Sequence, residues 1–135
     1  MPATLPRPPE DECLRCGTAT LWRDPRGFIV CDHVPRVVQT AETANEILDH
    51  AKELAGATSP AIMVLTNETR VDRSGLTTFA ERGNEFTGVA LIVKSKVSEM
   101  AGNFFVRIHK PGFPLRLFGE VDDAIEWLAE VGSGA

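Results

Sequence analysis

The sequence predicts one α/β domain: a mainly parallel sheet with an N-terminal antiparallel hairpin and about four helices. Three observations carry that expectation. Two short apolar runs, 61–65 (AIMVL) and 89–93 (VALIV), lack alternation, as strands covered on both faces do. Stretches with apolar residues at helical spacing separate the apolar runs, which calls for crossover connections and parallel pairing. Near the start, Asp24-Pro25-Arg26-Gly27 offers turn chemistry between two extended runs, Thr18–Trp22 and Phe28–Cys31.

Taken in order, residues 1–17 read as a flexible lead-in, because Pro2, Pro6, Pro8 and Pro9 deny the backbone regular hydrogen bonds. The domain proper is expected over 18–132. After the hairpin, Thr40 is placed as the N-cap of a helix in which Ala41, Ala44, Ile47, Leu48, Ala51, Leu54 and Ala55 recur at helical spacing, with Gly56 at its end. Asp72 or Ser74 caps a shorter helix with Leu76, Phe79 and Ala80. Ser98 caps a third, whose stripe is Val97, Met100, Ala101, Phe104, Phe105 and Ile108, with Val97 before the cap as a hydrophobic staple. Pro111 and Pro114 end that stripe and lead to a strand at 115–118. A last helix buries Val121, Ala124, Ile125, Leu128 and Val131, with Glu120, Asp122 and Asp123 where its dipole favours them. The element order is ββαβαβαβα.

The chain has 135 residues, enough for one independently stable core. Its net charge of −5 argues against nucleic acid, which demands concentrated Lys and Arg. No apolar run approaches the roughly 20 residues that span a bilayer, and residues 1–11 lack the apolar centre of a secretory signal. A cytoplasmic location is therefore expected, where three cysteines stand as thiols or metal ligands.

Four groups of residues invite a chemical reading. The stretch Asp72, Ser74, Gly75 and Leu76 sits between a buried strand and a helix. Ser74 there is either a cap or a site where phosphate would add about −1.5 to −2 charges at a tolerant helix end. Cys13, Cys16, Cys31 and His33 make up the four ligands of a structural zinc, or else a buried thiol and a surface pair. Arg107, Lys110 and Arg116, with Phe104 and Phe105, form either an anion or ligand patch or the ordinary cationic end of a helix. Catalysis finds little footing. His33, His50 and His109 lie in different elements, and no nucleophile has a visible base.

The stretch Asp72-Arg73-Ser74-Gly75-Leu76 resembles the phosphoacceptor loop of STAS domains, in which an acidic residue and Ser-Gly-Leu open the second helix. Ser74 stands at the phosphoacceptor place, and Arg73 replaces the small residue usual beside it. From Ala90 to Leu128, "ALIVKSKVSEMAGNFFVRIHKPGFPLRLFGEVDDAIEWL" looks like bacterial SpoIIAA-like proteins described only as STAS/SEC14-type domains. The likeness covers residues 18–131. It implies a SpoIIAA-like fold and a regulatory, protein-binding domain without catalysis, switched at Ser74. The alternative it leaves open is a carrier or sensor of a small apolar or anionic ligand, lipid-like, using 98–116. Another protein is the expected partner, with no resident cofactor unless the zinc; peripheral membrane contact and self-association stay open.

Overall fold

The computed structural model describes residues 7–56, 60–96, 99–100, 103 and 113–133. Its sheet begins earlier than the sequence suggested. Leu14–Cys16 form strand β1, which pairs antiparallel with β2, Ala19–Arg23, and β2 pairs antiparallel with β3, Ile29–His33. The expected hairpin is thus the inner part of a three-stranded meander. Nor is the lead-in detached: the Arg7 guanidinium lies 5.5 Å from the Trp22 ring centroid and 3.8 Å from Asp32.

The turn between β2 and β3 forms where its chemistry placed it. Gly27 takes φ +105°, a conformation that costs glycine little. The buried Asp24 carboxylate accepts from the Arg26 amide at 2.9 Å, from its Nε at 2.8 Å and from its Nη2 at 3.1 Å. Burial raises the Asp24 pKa, but these bonds and the Arg26 charge outweigh it and hold the group below its usual value.

Parallel strands β5 (Ala61–Leu65), β7 (Gly88–Ile92) and β8 (Leu115–Phe118) complete a six-stranded sheet in the order β1-β2-β3-β5-β7-β8. Helix α1, Ala41–Ala55, links β3 to β5, and α2, Arg73–Arg82, links β5 to β7. Both links step the same way across the sheet, so right-handed crossovers put both helices on one face. There Ile47, Leu48 and Ala51 of α1 pack on Leu21, Cys31 and Ile62. Helix α3, Val121–Ser133, covers the other face, with Ala124 and Leu128 against Val30, Met63 and Ala90. The absence of alternation in AIMVL has this cause: Ile62 and Val64 face α1 and α2, while Ala61, Met63 and Leu65 face α3.

One small feature has no counterpart in the sequence reading. Val38–Gln39 (β4) and Arg70–Val71 (β6) form a separate two-stranded parallel sheet, immediately before α1 and α2 respectively. It brings the N-termini of the two helices together. The helix expected from Ser98 falls on a stretch of which only Glu99, Met100 and Asn103 are among the described residues between 97 and 112.

Candidate functional site

On the face shared by α1 and α2 the described residues leave part of the sheet uncovered. A cavity of about 1150 Å3 opens there, slightly above the sizes usual for small-molecule sites. Ile62, Val64, Val89, Leu91 and Leu115 make its floor, Ile47 and Leu48 one wall, and Leu76 and Phe79 another. Phe86 and Phe113 close the end by β8. Every strand of the floor presents alternate residues, so its apolar character follows from strand periodicity.

The polar lining gathers at one edge, where β3, β5 and β7 reach their carboxyl ends: His33, Arg36, Thr66, Glu68, Arg70 and Ser95. In open α/β sheets this is the edge at which ligands sit. Its backbone is unusual. Arg36, Asn67 and Glu68 have φ of 61°, 47° and 62°, among the described non-glycine residues the three in the left-handed region. Asn67 and Glu68 form the centre of a tight turn closed by Thr69 N–H to Thr66 O at 2.8 Å. The Asn67 amide holds that turn by donating to Asp32 Oδ1 at 2.8 Å and His33 O at 2.7 Å. Such conformations cost about 1–3 kcal/mol each and persist where surrounding contacts enforce them. Arg36 and Glu68 form an exposed ion pair at 3.7 Å across the opening.

His33 is the buried polar residue of this edge, at 6% exposure. Its Nδ1 stands 3.2 Å from Nε2 of Gln39, and the Thr18 hydroxyl donates to Gln39 Oε1 at 3.2 Å. With the Gln39 amide assigned this way round, Nδ1 accepts and Nε2 carries the ring proton. Burial pushes the His33 pKa down from 6.5 to about 4, so the ring is neutral at physiological pH. Nε2 has no partner among the described residues.

The predicted loop lies beside this edge, and the structure divides its roles. Asp72 is the N-cap of α2 and accepts from Gly75 N–H at 2.8 Å. Those bonds, together with one from the Ser74 hydroxyl, lower the Asp72 pKa. Ser74 does not cap its own helix. Its exposed hydroxyl donates to Asp72 Oδ1 at 2.7 Å and accepts from Ala41 N–H at 2.9 Å, so it caps α1. Gly75 packs against β4: a Cβ there would stand 2.7 Å from the Gln39 carbonyl oxygen. Leu76 turns into the cavity.

Of the two other groups, one is not gathered in the structure and the other lies mostly outside the described residues. Among the described residues no cluster of three or more His, Cys, Asp or Glu is placed to hold a metal ion. The expected zinc set fails for a geometric reason. Cys13 and Cys16 are three residues apart on extended chain and fall on opposite faces of the sheet. Cys16 and Cys31 share a face, but β2 separates their strands, which puts about 10 Å between the backbones where zinc donors must stand about 4 Å apart. Burial also raises the Cys31 thiol pKa, away from the thiolate that zinc binds. His33 meanwhile is committed to Gln39. Of the cation and phenylalanine patch, Phe104, Phe105, Arg107 and Lys110 lie outside the described residues. Arg116 projects away from the cavity, on the α3 face, where its guanidinium lies 5.4 Å from the Phe118 ring centroid.

The His33–Gln39–Thr18 chain, the mini-sheet and the part of the cavity lined from α1, α2 and the carboxyl edge were missed from sequence. Asn67 is the residue that carries a signal, since asparagine tolerates positive φ at the centre of such turns.

Comparison with known proteins gives a fold and no activity. A family model described as a domain of unknown function, DUF7793, matches residues 21–132. No curated protein matches the chain. Among solved structures, the chain is similar to an uncharacterized protein of the DUF3478 family with a SpoIIAA-like fold, from Shewanella loihica PV-4. The TM-score is 0.57 at 18% identity, covering 82% of this chain and 91% of that one. At that identity the likeness shows the fold alone, and it agrees with the SpoIIAA-like architecture expected from the sequence. Among the described residues no helix is long and apolar enough to cross a membrane.

Proposed function

The chain belongs to the DUF7793 family, and from that premise we propose that it is a non-catalytic domain that binds a small apolar molecule in the cavity under α1 and α2. The single observation behind this reading is the cavity itself: about 1150 Å3, with a strand-built apolar floor and its polar groups confined to the carboxyl edge. Contiguous apolar patches of this kind on a domain are often functional. Of the span 98–116 expected to contact such a ligand, Met100, Phe113 and Leu115 line the cavity among the described residues.

The test is a nuclear magnetic resonance titration with dodecan-1-ol. Methyl signals of Val64, Leu76 and Leu91 should shift together and saturate. In Val64→Trp, whose ring occupies the floor, saturable shifts should vanish while the fold persists. Absence of any shift at those methyls at saturating alcohol would overturn the reading.

A second reading, regulation through Ser74, is favoured by a specific arrangement. The hydroxyl is exposed and sits where the N-termini of α1 and α2 meet. A phosphate there would gain from both helix ends but would face the Asp72 carboxylate that the hydroxyl now bonds at 2.7 Å. Phosphorylation would therefore replace a clasp with a like-charge contact and loosen the junction. An intact mass spectrum of the protein from its own cells should show a phosphorylated species that disappears in Ser74→Ala. An unmodified chain, with Ser74→Ala costing about 1 kcal/mol of stability, leaves Ser74 as a cap alone.

A further inference from the structure

We infer that the cavity takes a monocarboxylate with an apolar chain, its carboxylate accepting a hydrogen bond from His33 Nε2 at a cationic mouth. The inference rests on the ligand-binding reading above and goes further by naming the ligand's class and the residue that reads it.

His33 is more than a histidine filling the core. A ring sealed inside a core pairs both of its nitrogens; here Gln39 takes one, and the other has no partner among the described residues although the ring lines the cavity. The chain Thr18 to Gln39 to His33 fixes the ring from behind, over sequence separations of 21 and 6 residues. It leaves Nε2 as a donor without a partner among the described residues, on a residue that lines the cavity. A ligand that meets it must bring an acceptor oxygen.

Charge at the mouth decides which oxygen. Arg36 is paired with Glu68, which leaves Arg70 on the lining without an ion pair among the described residues. A chain of net charge −5 thus keeps a net positive charge on its cavity lining, where Arg36 and Arg70 stand against Glu68. That complements an anion and opposes a cation. The floor admits an apolar chain, and a single buried donor suits one small head group. A carboxylate on an alkyl or similar chain meets all three conditions.

The experiment compares dodecanoate, dodecan-1-ol and acetate by calorimetric titration of the intact protein. Dodecanoate should bind at least about tenfold tighter than the alcohol, and acetate should not bind measurably, because a charge-assisted bond adds to a shared apolar contact. His33→Asn retains a polar group opposite Gln39 but lacks the reach of Nε2. It should bind the alcohol as before and lose the preference for the acid. Gln39→Leu, which frees the ring, should lose most of it. Arg70→Ala should weaken dodecanoate several-fold and flatten its dependence on salt, leaving the alcohol unchanged. Nitrogen chemical shifts should report the Nε2–H tautomer of His33, and should move on adding dodecanoate. Equal affinity for acid and alcohol, or the Nδ1–H tautomer, overturns this inference while the cavity reading stands. Binding of neither overturns both.

Discussion

Between about pH 7 and pH 5 the free energy of unfolding should fall by about 2 kcal/mol because of His33. Burial lowers the folded-state pKa of this residue to about 4, against 6.5 for an exposed histidine. In that window the unfolded chain takes up a proton that the folded chain refuses. Stability therefore rises with pH up to about 6.5 and is lost as pH falls, reaching about 3 kcal/mol once both pKa values are passed. Asp24, Asp72 and Glu85 have lowered pKa values and add their own losses only as pH falls into and below the ordinary carboxylate range, so the fall between about pH 7 and pH 5 belongs to His33. Urea midpoints measured at half-unit intervals would resolve the two limbs. His33→Asn should flatten the upper limb and leave the lower one. An unchanged upper limb in that variant would show that His33 is not the buried neutral group described above.

Gly75→Val should lower stability by about 2 kcal/mol, or roughly 8 °C in Tm for a domain of this size. The position is helical, and glycine inside a helix ordinarily gives up about 1 kcal/mol relative to alanine, so helix propensity alone favours the substitution. The neighbours decide otherwise. A Cβ would stand 2.7 Å from the Gln39 carbonyl oxygen and 2.8 Å from Val71 Cγ1. That carbonyl is not free to retreat, because it accepts from Asp72 N–H at 2.9 Å within the pairing of β4 and β6. Gly75→Ala should fall between wild type and valine, its helix gain offsetting part of the clash. Thermal melts of the two variants give the order; a valine variant as stable as wild type would mean that β4 yields freely.

The same glycine shows why a motif was readable and its reason was not. Ser74-Gly75-Leu76 stood out by resemblance to a phosphoacceptor loop, yet what demands glycine is a backbone carbonyl 36 residues earlier. Elements specified by their own residues were legible. The α1 stripe ran between a Thr40 cap and a Gly56 stop, and both are present, the first as a reciprocal pair with Thr43. The doubly covered strands showed in their unbroken apolar runs. Elements of two or three residues were not legible, because Val38–Gln39 and Arg70–Val71 are too short to display any period. Leu14–Cys16 had the further disguise of following four prolines. The site was hidden for a different reason. Thr18, His33 and Gln39 meet through strand pairing rather than spacing, and the cavity floor draws one or two residues from each of several strands. A zinc reading of Cys13, Cys16, Cys31 and His33 counted ligands correctly and ignored which side of the sheet each occupies.

That last arrangement has a kinetic consequence. Cys13 and Cys16 bracket the outermost strand in extended conformation, roughly 10 Å apart along the chain, whereas a disulfide needs α-carbons within about 7 Å. The cross-link and the paired strand exclude one another. Oxidation between these two thiols must wait until β1 lifts from β2, and once made it traps the lifted form. The pair therefore behaves as a clock on edge fraying, its rate set by the fraction of molecules in which the first strand has come away.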